Sequence, residues 1–455
     1  MSFLLDAVEN VNVFLWDFAL LFLLLGTGVY YSFKLRFVQV RRFKEGFKKV
    51  FGGFFQKKGK GFAGQMTSFQ SLATAVAAQV GTGNLAGAAT AIVSGGPGAI
   101  FWMWASSFFS MATIFSEATL AQRFKVKKDG EVSGGPIYYI QAAFSGRFGK
   151  ILSGVFAVFV VFALGFMGNM VQANSIGQAF SAAFSISPAV VGVLVALVCG
   201  FVFLGGMKRI AIFSEKVVPP MAVLYILGAL VVIGVNYASI WPALKSIFVG
   251  AFSPGAVVGG AVGVTMKQAV RFGVARGLFS NEAGMGSTPH AHAAAKVDHP
   301  CEQGLVAMVG VFIDTFVILT LTALVILTSG VIIPFGNPGA EQTGTVLTQS
   351  AFSGVFGQGF GPVFVAVCLL FFAITTIISW YFFGEINVRH LFGRAGVKVY
   401  AVLVLAFIVL GSCLKVDLVW ALADMANAFM ALPNLLALLA LSPLVARLLQ
   451  NYEKK

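Results

Sequence analysis

Long apolar runs recur from one end of the chain to the other, separated by short polar or glycine- and proline-containing stretches. Each run approaches the ~20 residues that a helix needs to cross a bilayer. Strands of a membrane barrel would instead alternate over ~10 residues, and no such alternation is present. The pattern predicts an all-α polytopic membrane protein with eleven transmembrane helices. Their predicted bounds are 12–32, 66–94, 98–122, 151–184, 188–205, 214–236, 266–297, 303–330, 360–388, 397–413 and 418–446.

Composition supports this class. Hydrophobic residues make up 58% of the 455 positions and charged residues only 11%, whereas soluble proteins carry about 25% charged residues. The four cysteines show no paired or metal-ligand spacing, so neither a disulfide nor a metal or other cofactor is expected. The chain lacks a basic region before its first apolar run, which favours a retained first span over a cleavable signal.

Basic residues are concentrated in alternate loops. They cluster at 34–60, 123–150, 208–216, 296, 389–398 and 447–455, whereas the opposite loops hold only Lys245 and Lys415. Positive loops mark the cytoplasmic side, so we expect a bacterial inner-membrane protein with its N-terminus outside and its C-terminus in the cytoplasm. The net charge of +14 follows from this topology and predicts no nucleic-acid partner.

A segment rich in phenylalanine and basic residues follows the first span, within the predicted interfacial region 36–65. Such a segment could sense anionic lipid. The favoured interpretation is a helix that lies among the lipid headgroups as a topological anchor.

Two predicted spans are interrupted by polar and glycine residues. In the second span the interruption is Gly81-Thr82-Gly83-Asn84, and helix is predicted to resume from Leu85 to Ser94. In the seventh span helix-forming residues run to about Phe279, and the interruption covers 280–287. Thr288-Pro289 then resembles a helix start, because threonine caps helices and proline suits their first turn.

The two interruptions open two five-helix units of opposite orientation. We therefore predict a first helix (1–35), the interfacial segment (36–65), a first repeat (66–240) and an inverted second repeat with the C-terminal tail (241–455). Broken helices at matched places indicate a secondary transporter with a central site. Free helix ends suit the carboxylate and ammonium groups of an amino acid, together with a cation. Glycines could merely permit close helix packing, and this is the interpretation we favour for Gly87, Gly95 and Gly98.

Long motifs around both interruptions resemble one family. The sequences GTGNLAGAATAIVSGGPGAIFWMW and RGLFSNEAGMGSTPHAHAAA, followed by HPCEQGL and FIDT, closely resemble the alanine or glycine:cation symporters, the bacterial sodium:alanine symporters. The resemblance implies the leucine-transporter fold with one helix added before the inverted repeats. It also implies Na⁺, in some members H⁺, as coupling ion, and alanine, glycine or a similar small neutral amino acid as substrate.

Polar residues at membrane depth supply the candidate site. The predicted substrate-binding residues are Gln79, Gly81, Thr82, Gly83, Asn84, Gln172, Asn281, Glu282, Gly284, Thr376 and Trp380. The predicted cation-binding residues are Thr82, Asn84, Thr375, Thr376 and Ser379. Related folds place the ninth-span counterpart against the first break, which favours Na⁺ there. The alternative is that these hydroxyls bond back to their own helix.

Several of these residues keep two interpretations. Gln79 and Gln172 could line a pocket or form interhelical hydrogen bonds, and Trp380 could limit the substrate to alanine size or simply pack. Glu282 could hold the substrate ammonium or a proton, or it could pair with Arg276 as a lock. Asp314, Asp424 and Arg276 are gating candidates, although structural pairing is favoured for the acids, including Glu117 and Glu385.

Three other classes compete with a transporter. A channel would require a symmetric pore or a ring of repeated ligands, and a scaffold would not account for broken helices. A membrane metalloenzyme could be suggested by His290 and His292, but residues two apart on a helix point to different faces. We therefore expect alternating-access transport, with Na⁺ or H⁺ coupling left open.

Overall fold

The computed structural model describes residues 2–52, 65–128, 131–252, 256–258, 261–333, 335–336, 344–414 and 416–454. In this part of the chain, six helices are long and apolar enough to cross a membrane, or seven if one bent pair counts as a single span. The predicted all-helical membrane class is therefore confirmed, whereas the count of eleven spans and the repeat boundaries remain predictions. Five lysines that contributed to the predicted charge pattern lie outside the described residues, namely Lys57, Lys58, Lys60, Lys415 and Lys455.

The first half of the chain contains ten helices and one hairpin among the described residues. They are α1 (2–34), α2 (Val38–Arg41), α3 (Phe43–Phe51), α4 (Ser68–Gln79), α5 (Gly83–Gly95), α6 (Gly98–Arg123), β1 (Val126–Lys128), β2 (Glu131–Ser133), α7 (Pro136–Ala143), α8 (Gly146–Phe184), α9 (Pro188–Phe203) and α10 (Gly206–Val235). Strands β1 and β2 pair antiparallel. Wide π-helical turns occur in α1 at Leu15–Leu20, in α5 at Gly83–Gly87 and in α8 at Val161–Gly168.

The second half is built similarly. It contains a short 3₁₀ turn (Tyr237–Ser239), α11 (Ile240–Phe252), β3 (Ala256–Val258), β4 (Ala261–Val264), α12 (Met266–Asn281), α13 (Pro289–Ala294), α14 (Pro300–Thr328), α15 (Gly344–Cys413) and α16 (Val416–Glu453). Strands β3 and β4 also pair antiparallel. Helix α14 includes a π-helical segment, Phe312–Leu319.

The predicted spans coincide with helices, but several helices extend further or were not predicted. Helix α15 continues the predicted spans 360–388 and 397–413 with an additional segment at 344–356. Its three segments meet at Gly357 and Gly393, whose φ values are 81° and 68°. Helices α7 and α11 were not predicted, because their 8 and 13 residues are too short to show the hydropathy of a membrane span.

Both predicted interruptions are present, with shifted boundaries. Helices α4 and α5 meet at a 45° bend, and the second half-helix resumes at Gly83 in a π-helical turn rather than at Leu85. Helix α12 continues to Asn281, and α13, which starts at Pro289 as predicted, has only 6 residues. The chain between α12 and α13 contains left-handed residues at Glu282, Gly284 and Gly286, so it cannot continue as a helix.

The predicted interfacial helix forms as α2 and α3. Helix α3 packs so closely on α14 that a methyl group at Gly46 would lie 2.7 Å from the Leu305 carbonyl oxygen. Arg41 and Arg42 contact the carboxylate of Glu453 at 3.0 Å and 3.4 Å. These contacts tie the segment after the first span to the end of the last helix. Residues 53–64 of the predicted interfacial segment lie outside the described residues, and its position among the lipid headgroups remains a prediction.

Close helix packing was predicted at Gly87, Gly95 and Gly98, and it is present at two of these three positions. A methyl group at Gly98 would lie 2.3 Å from backbone atoms of Gly250, and one at Gly95 would lie 2.9 Å from the Ala99 side chain. At Gly87 the prediction was wrong, since the nearest atom would lie 3.8 Å away. The contact between Gly98 and Gly250 brings the start of α6 directly against α11.

We predict that Gly98→Ala lowers stability by about 1–3 kcal/mol, because the new methyl group overlaps backbone that cannot rotate away. Thermal unfolding in detergent measures the effect. The matched control is Gly26→Ala, where a methyl group would meet no atom within 4 Å. A melting temperature for Gly98→Ala equal to that of the control would contradict this account of the helix contact.

Candidate functional site

The two breaks lie against each other at the centre of the described structure. A methyl group at Gly83 would lie 3.0 Å from the Cα atom of Ser280. Across the same contact, the side-chain amide of Gln79 donates a hydrogen bond to the Asn281 carbonyl oxygen at 2.8 Å. Since Gln79 and Asn281 are the last residues of α4 and α12, this bond joins the ends of the two interrupted helices.

Asp314 connects the two breaks through its carboxylate. It accepts a hydrogen bond from Asn84 Nδ2 at 2.7 Å and from Ser280 Oγ at 3.0 Å. The other end of the Asn84 amide accepts the backbone N–H of Gly81 at 3.0 Å. Asp314, a candidate gate, thus holds one residue from each break in a fully buried position.

Asn281 stabilises the end of its own helix. Its Nδ2 donates to Ser107 Oγ at 2.7 Å, and its Oδ1 accepts the N–H of Ala283 at 3.0 Å. These contacts show Asn281 stabilising a helix end, and its role in substrate binding remains a prediction.

Thr376 lies against the first break, as predicted, whereas Thr375 does not. The Thr376 hydroxyl lies 2.8 Å from the Ala77 carbonyl oxygen and 3.5 Å from that of Val80, and it also lies 3.0 Å from the Phe372 carbonyl oxygen of its own helix. The Thr375 hydroxyl instead donates to Phe372 of its own helix at 2.8 Å and lies 3.7 Å from the Met221 sulfur. The predicted role of Thr375 as a cation ligand is not supported by this geometry.

Two buried hydroxyl groups near these positions have no hydrogen-bond partner in the described structure. They are Thr82 Oγ1, between the two halves of the first broken helix, and Ser379 Oγ, three residues after Thr376. An unpaired buried hydroxyl is unfavourable and leaves an oxygen available to a ligand.

Gln172 contacts the first break from α8. Its Oε1 accepts the backbone N–H of Thr82 at 3.1 Å. A methyl group at Gly81 would lie 2.5 Å from Thr376 Oγ1 and 3.1 Å from Gln172 Oε1. Only glycine therefore fits at position 81, where the backbone passes between two polar side chains.

Glu282 pairs with Trp380, so the expected alternative of a lock with Arg276 is wrong. The Trp380 indole N–H donates to Glu282 Oε1 at 2.5 Å, and the Ser287 hydroxyl donates to Oε2. Arg276 forms a bidentate pair with Asp424, at 3.0 Å and 2.6 Å. The Arg276 guanidinium also lies 4.6 Å from the centre of the Trp420 ring.

Glu117 supports the second break, a role that sequence reasoning did not assign. Its two carboxylate oxygens accept the backbone N–H groups of Gly284 and Gly286, each at 3.0 Å. Asn434 Nδ2 donates to the same carboxylate at 2.6 Å and to the Gly284 carbonyl oxygen at 2.9 Å. The available sequence signal was an acid in the middle of the apolar helix α6, which requires a partner.

His290 and His292 take part in separate hydrogen bonds. His290 Nδ1 contacts the Ser287 carbonyl oxygen at 2.7 Å, and its Nε2 contacts Asn387 at 2.9 Å. His292 Nδ1 contacts Gln303 at 2.9 Å. Both rings thus fasten the short helix α13 to its neighbours, as expected for polar residues at a helix end.

Solved structures with the same arrangement are transporters of the leucine-transporter fold. MhsT, determined in complex with L-phenylalanine, matches with a TM-score of 0.56 at 13% identity, covering 85% of this chain and 98% of that one. A mutant of the Eremococcus coleocola manganese transporter matches with a TM-score of 0.53 at 17% identity, covering 80% and 76%. The likeness shows that the chain has the leucine-transporter fold.

The chain belongs to the sodium:alanine symporter family, whose model matches residues 1–455. The sodium/alanine symporter AgcS of Methanococcus maripaludis is 42% identical over 441 residues, covering 96% of this chain and 95% of that protein. The amino-acid carrier protein AlsT of Bacillus subtilis is 37% identical over 455 residues, covering 100% and 93%. The family expected from the two motifs is thus confirmed.

We predict that Glu117→Gln destabilises the protein by about 1–3 kcal/mol, because an amide nitrogen would replace an acceptor that faces buried N–H donors. Thermal unfolding in detergent tests this, with Glu9→Gln, at an exposed position, as the matched control. Equal melting temperatures for the two variants would show that Glu117 does not hold the second break.

Proposed function

We propose that this protein imports a small neutral amino acid, such as alanine or glycine, by symport with Na⁺ through alternating access. The observation that supports it most directly is the meeting of two interrupted helices, joined by the hydrogen bond from Gln79 to Asn281. Helix breaks inside a membrane protein occur where the backbone lines a ligand site. A zwitterion suits this site because N–H groups and carbonyl groups become available at the same place.

The substrate would bind between the two breaks. Its carboxylate would use N–H groups of the first break, where Gly81 and Gly83 leave the backbone open to close approach. Its ammonium group would face carbonyl oxygens and polar side chains around Gln172 and Asn281. Trp380, which is 2% exposed, would bound the space for the side chain. The remaining members of the proposed substrate set are Gln79, Thr82, Asn84, Gly284 and Thr376, whereas the carboxyl oxygens of Glu282 are occupied by Trp380 and Ser287.

The cation would bind where Thr376 meets the first break. The carbonyl oxygens of Ala77 and Val80 lie within 3.5 Å of its hydroxyl, and oxygen-only ligand sets suit hard cations. The unpartnered hydroxyls of Thr82 and Ser379 would complete the set, with Asn84 nearby. Proton coupling is the second candidate, because the buried carboxylates Asp314 and Glu282 lie at the breaks.

Closed contacts lie on both sides of the breaks, which is the arrangement of an occluded state. On one side Arg276 pairs with Asp424, and their side chains are 8% and 15% exposed. On the other side Met66 N–H donates to the Ala294 carbonyl oxygen at 2.9 Å and Met66 accepts the N–H of Lys296 at 3.1 Å. With the N-terminus outside, the ion pair is the extracellular gate and the Met66 contact closes the cytoplasmic side of a bacterial inner-membrane transporter.

Uptake into proteoliposomes tests the proposal. An inward Na⁺ gradient should drive labelled alanine above its equilibrium level, whereas K⁺ replacement or a pH gradient alone should not, because the cation site is built from fixed oxygens. Internal unlabelled alanine should accelerate entry of label by exchange. Uptake driven equally by a pH gradient would favour proton coupling, and entry without exchange would favour a channel.

We predict that Thr376→Ala lowers Na⁺-driven alanine uptake at least about tenfold, since it removes one oxygen that contacts the cation or the break. Asn84→Ala should do the same, because it releases the Gly81 N–H and Asp314 together.

Thr376→Ser keeps the hydroxyl and should restore most uptake. Thr375→Ala is the matched control, since the Thr375 hydroxyl contacts Phe372 and Met221 and not the first break. Normal uptake by both alanine variants would refute the site.

We predict that Asp424→Asn and Arg276→Gln each impair concentrative uptake, because loss of one partner leaves the other charge unpaired at a cost of about 3–5 kcal/mol when buried. The reversed pair, Arg276→Asp with Asp424→Arg, should restore part of the activity. Initial rates of Na⁺-driven uptake measure this, normalised to folded protein. A reversed pair no better than the single variants would show that the ion pair itself is not what closes the pathway.

A further inference from the structure

We propose that Glu282 is a positioning residue for substrate size: its carboxylate fixes the Trp380 indole, which Gly168 supports from the opposite side. In this fixed position, the Trp380 indole limits the size of the amino-acid side chain that the site accepts. This inference rests on the proposed amino-acid transport. It assigns Glu282 a role other than direct contact with the substrate ammonium.

The carboxylate of Glu282 is held by the protein itself. Its Oε1 accepts the Trp380 indole N–H at 2.5 Å, and its Oε2 accepts the Ser287 hydroxyl. All three side chains are buried, Glu282 completely. Because an indole has one donor, this hydrogen bond determines the direction in which the Trp380 ring points.

The backbone at position 282 indicates that the side chain matters. Glu282 ends helix α12 in the left-handed region, with φ 58° and ψ 8°. A residue with a Cβ atom costs about 1 kcal/mol or more there, whereas glycine does not. Glycine does occupy the next two left-handed positions, Gly284 and Gly286. The presence of glutamate rather than glycine at 282 is consistent with a requirement for its carboxyl group.

The opposite side of the indole is closed by α8. A methyl group at Gly168 would lie 2.5 Å from Trp380 Cζ3 and 2.8 Å from Cε3, and also 2.7 Å from the Ala163 carbonyl oxygen. The Phe279 ring lies edge-on to the indole, with ring centres 5.9 Å apart. Trp380 is therefore confined between α8, the end of α12 and its bond to Glu282.

These contacts predict opposite changes in size selectivity. Loss of the Glu282 carboxylate frees the indole to rotate, so larger side chains should be accepted. A methyl group at Gly168 displaces the indole toward the breaks, so the space should shrink and glycine should be favoured over alanine. A glutamate that bound the substrate ammonium would instead affect all amino acids equally, whatever their side chains.

The test is inhibition of Na⁺-driven uptake of labelled glycine by unlabelled glycine, alanine and leucine in proteoliposomes. In Glu282→Ala the ratio of the leucine to the alanine inhibition constant should fall about tenfold, the effect of one lost buried hydrogen bond. Trp380→Phe, which removes the indole donor, should lower the ratio similarly. The double variant should show no further fall, because both changes remove the same bond. Glu282→Gln, whose amide oxygen can accept the indole N–H, should keep the wild-type ratio.

Gly168→Ala tests the other face of the indole. The ratio of the alanine to the glycine inhibition constant should rise about tenfold, as expected for one buried methyl-sized clash. Gly154→Ala on the same helix, where a methyl group would meet no atom within 4 Å, should leave that ratio at the wild-type value.

Three results would overturn the inference. They are an unchanged leucine-to-alanine ratio in Glu282→Ala, an equal loss of all substrates in both Glu282 variants, or an unchanged alanine-to-glycine ratio in Gly168→Ala. If Glu282→Ala does not fold, the leucine-to-alanine ratio of Trp380→Phe and the alanine-to-glycine ratio of Gly168→Ala test the inference instead. Failure of the wild-type protein to take up any amino acid with Na⁺ would instead refute the proposed transport function.

Discussion

The structure depends on hydrogen bonds to the backbone N–H and carbonyl groups that are freed where two helices are interrupted in apolar surroundings. A buried N–H or carbonyl group without a partner is costly, and lipid offers none. In this protein the freed groups are served by side chains from other helices. Gln172 accepts the N–H of Thr82, and Glu117 accepts two consecutive glycine N–H groups at 284 and 286. The breaks are stable because the surrounding helices supply these acceptors.

The same requirement explains why so many acids are buried near the centre. Asp314, Glu117 and Glu282 are each fully buried, and each accepts hydrogen bonds from residues of a break. A charge without partners would be excluded from such a position. Around each carboxyl group, fixed hydrogen-bond donors of the protein take the place of water molecules. The site is therefore pre-organised, and a substrate would meet a backbone that is already open.

Two contacts, one on each side of the breaks, would have to open and close if the protein moves between conformations. The Arg276–Asp424 pair joins α12 to α16, whereas the bridge between Met66 and Ala295 joins the segment before α4 to the end of α13. Both contacts involve elements that begin or end at a break. Movement of a half-helix against its neighbours would open one of these contacts and leave the other intact. A rigid core with separable ends is what alternating access requires.

Long apolar runs and polar interruptions were enough to predict the membrane class and the two breaks, because hydropathy and helix-breaking residues act locally along the chain. The family was predicted from the resemblance of the long motifs around the two breaks. The sequence also predicted that the ninth span contacts the first break, and Thr376 does so, whereas the contact of Gln172 with the same break was one of two interpretations left open. Whether Thr375 or Thr376 faces that break, and whether Arg276 pairs with Glu282 or Asp424, depends on helix rotation and on residues distant in the chain. The role of Glu117 was likewise decided only by folding, since Gly284 lies 167 residues away along the chain. A hydrogen bond needs an acceptor within about 3 Å, and only tertiary packing brings such partners together.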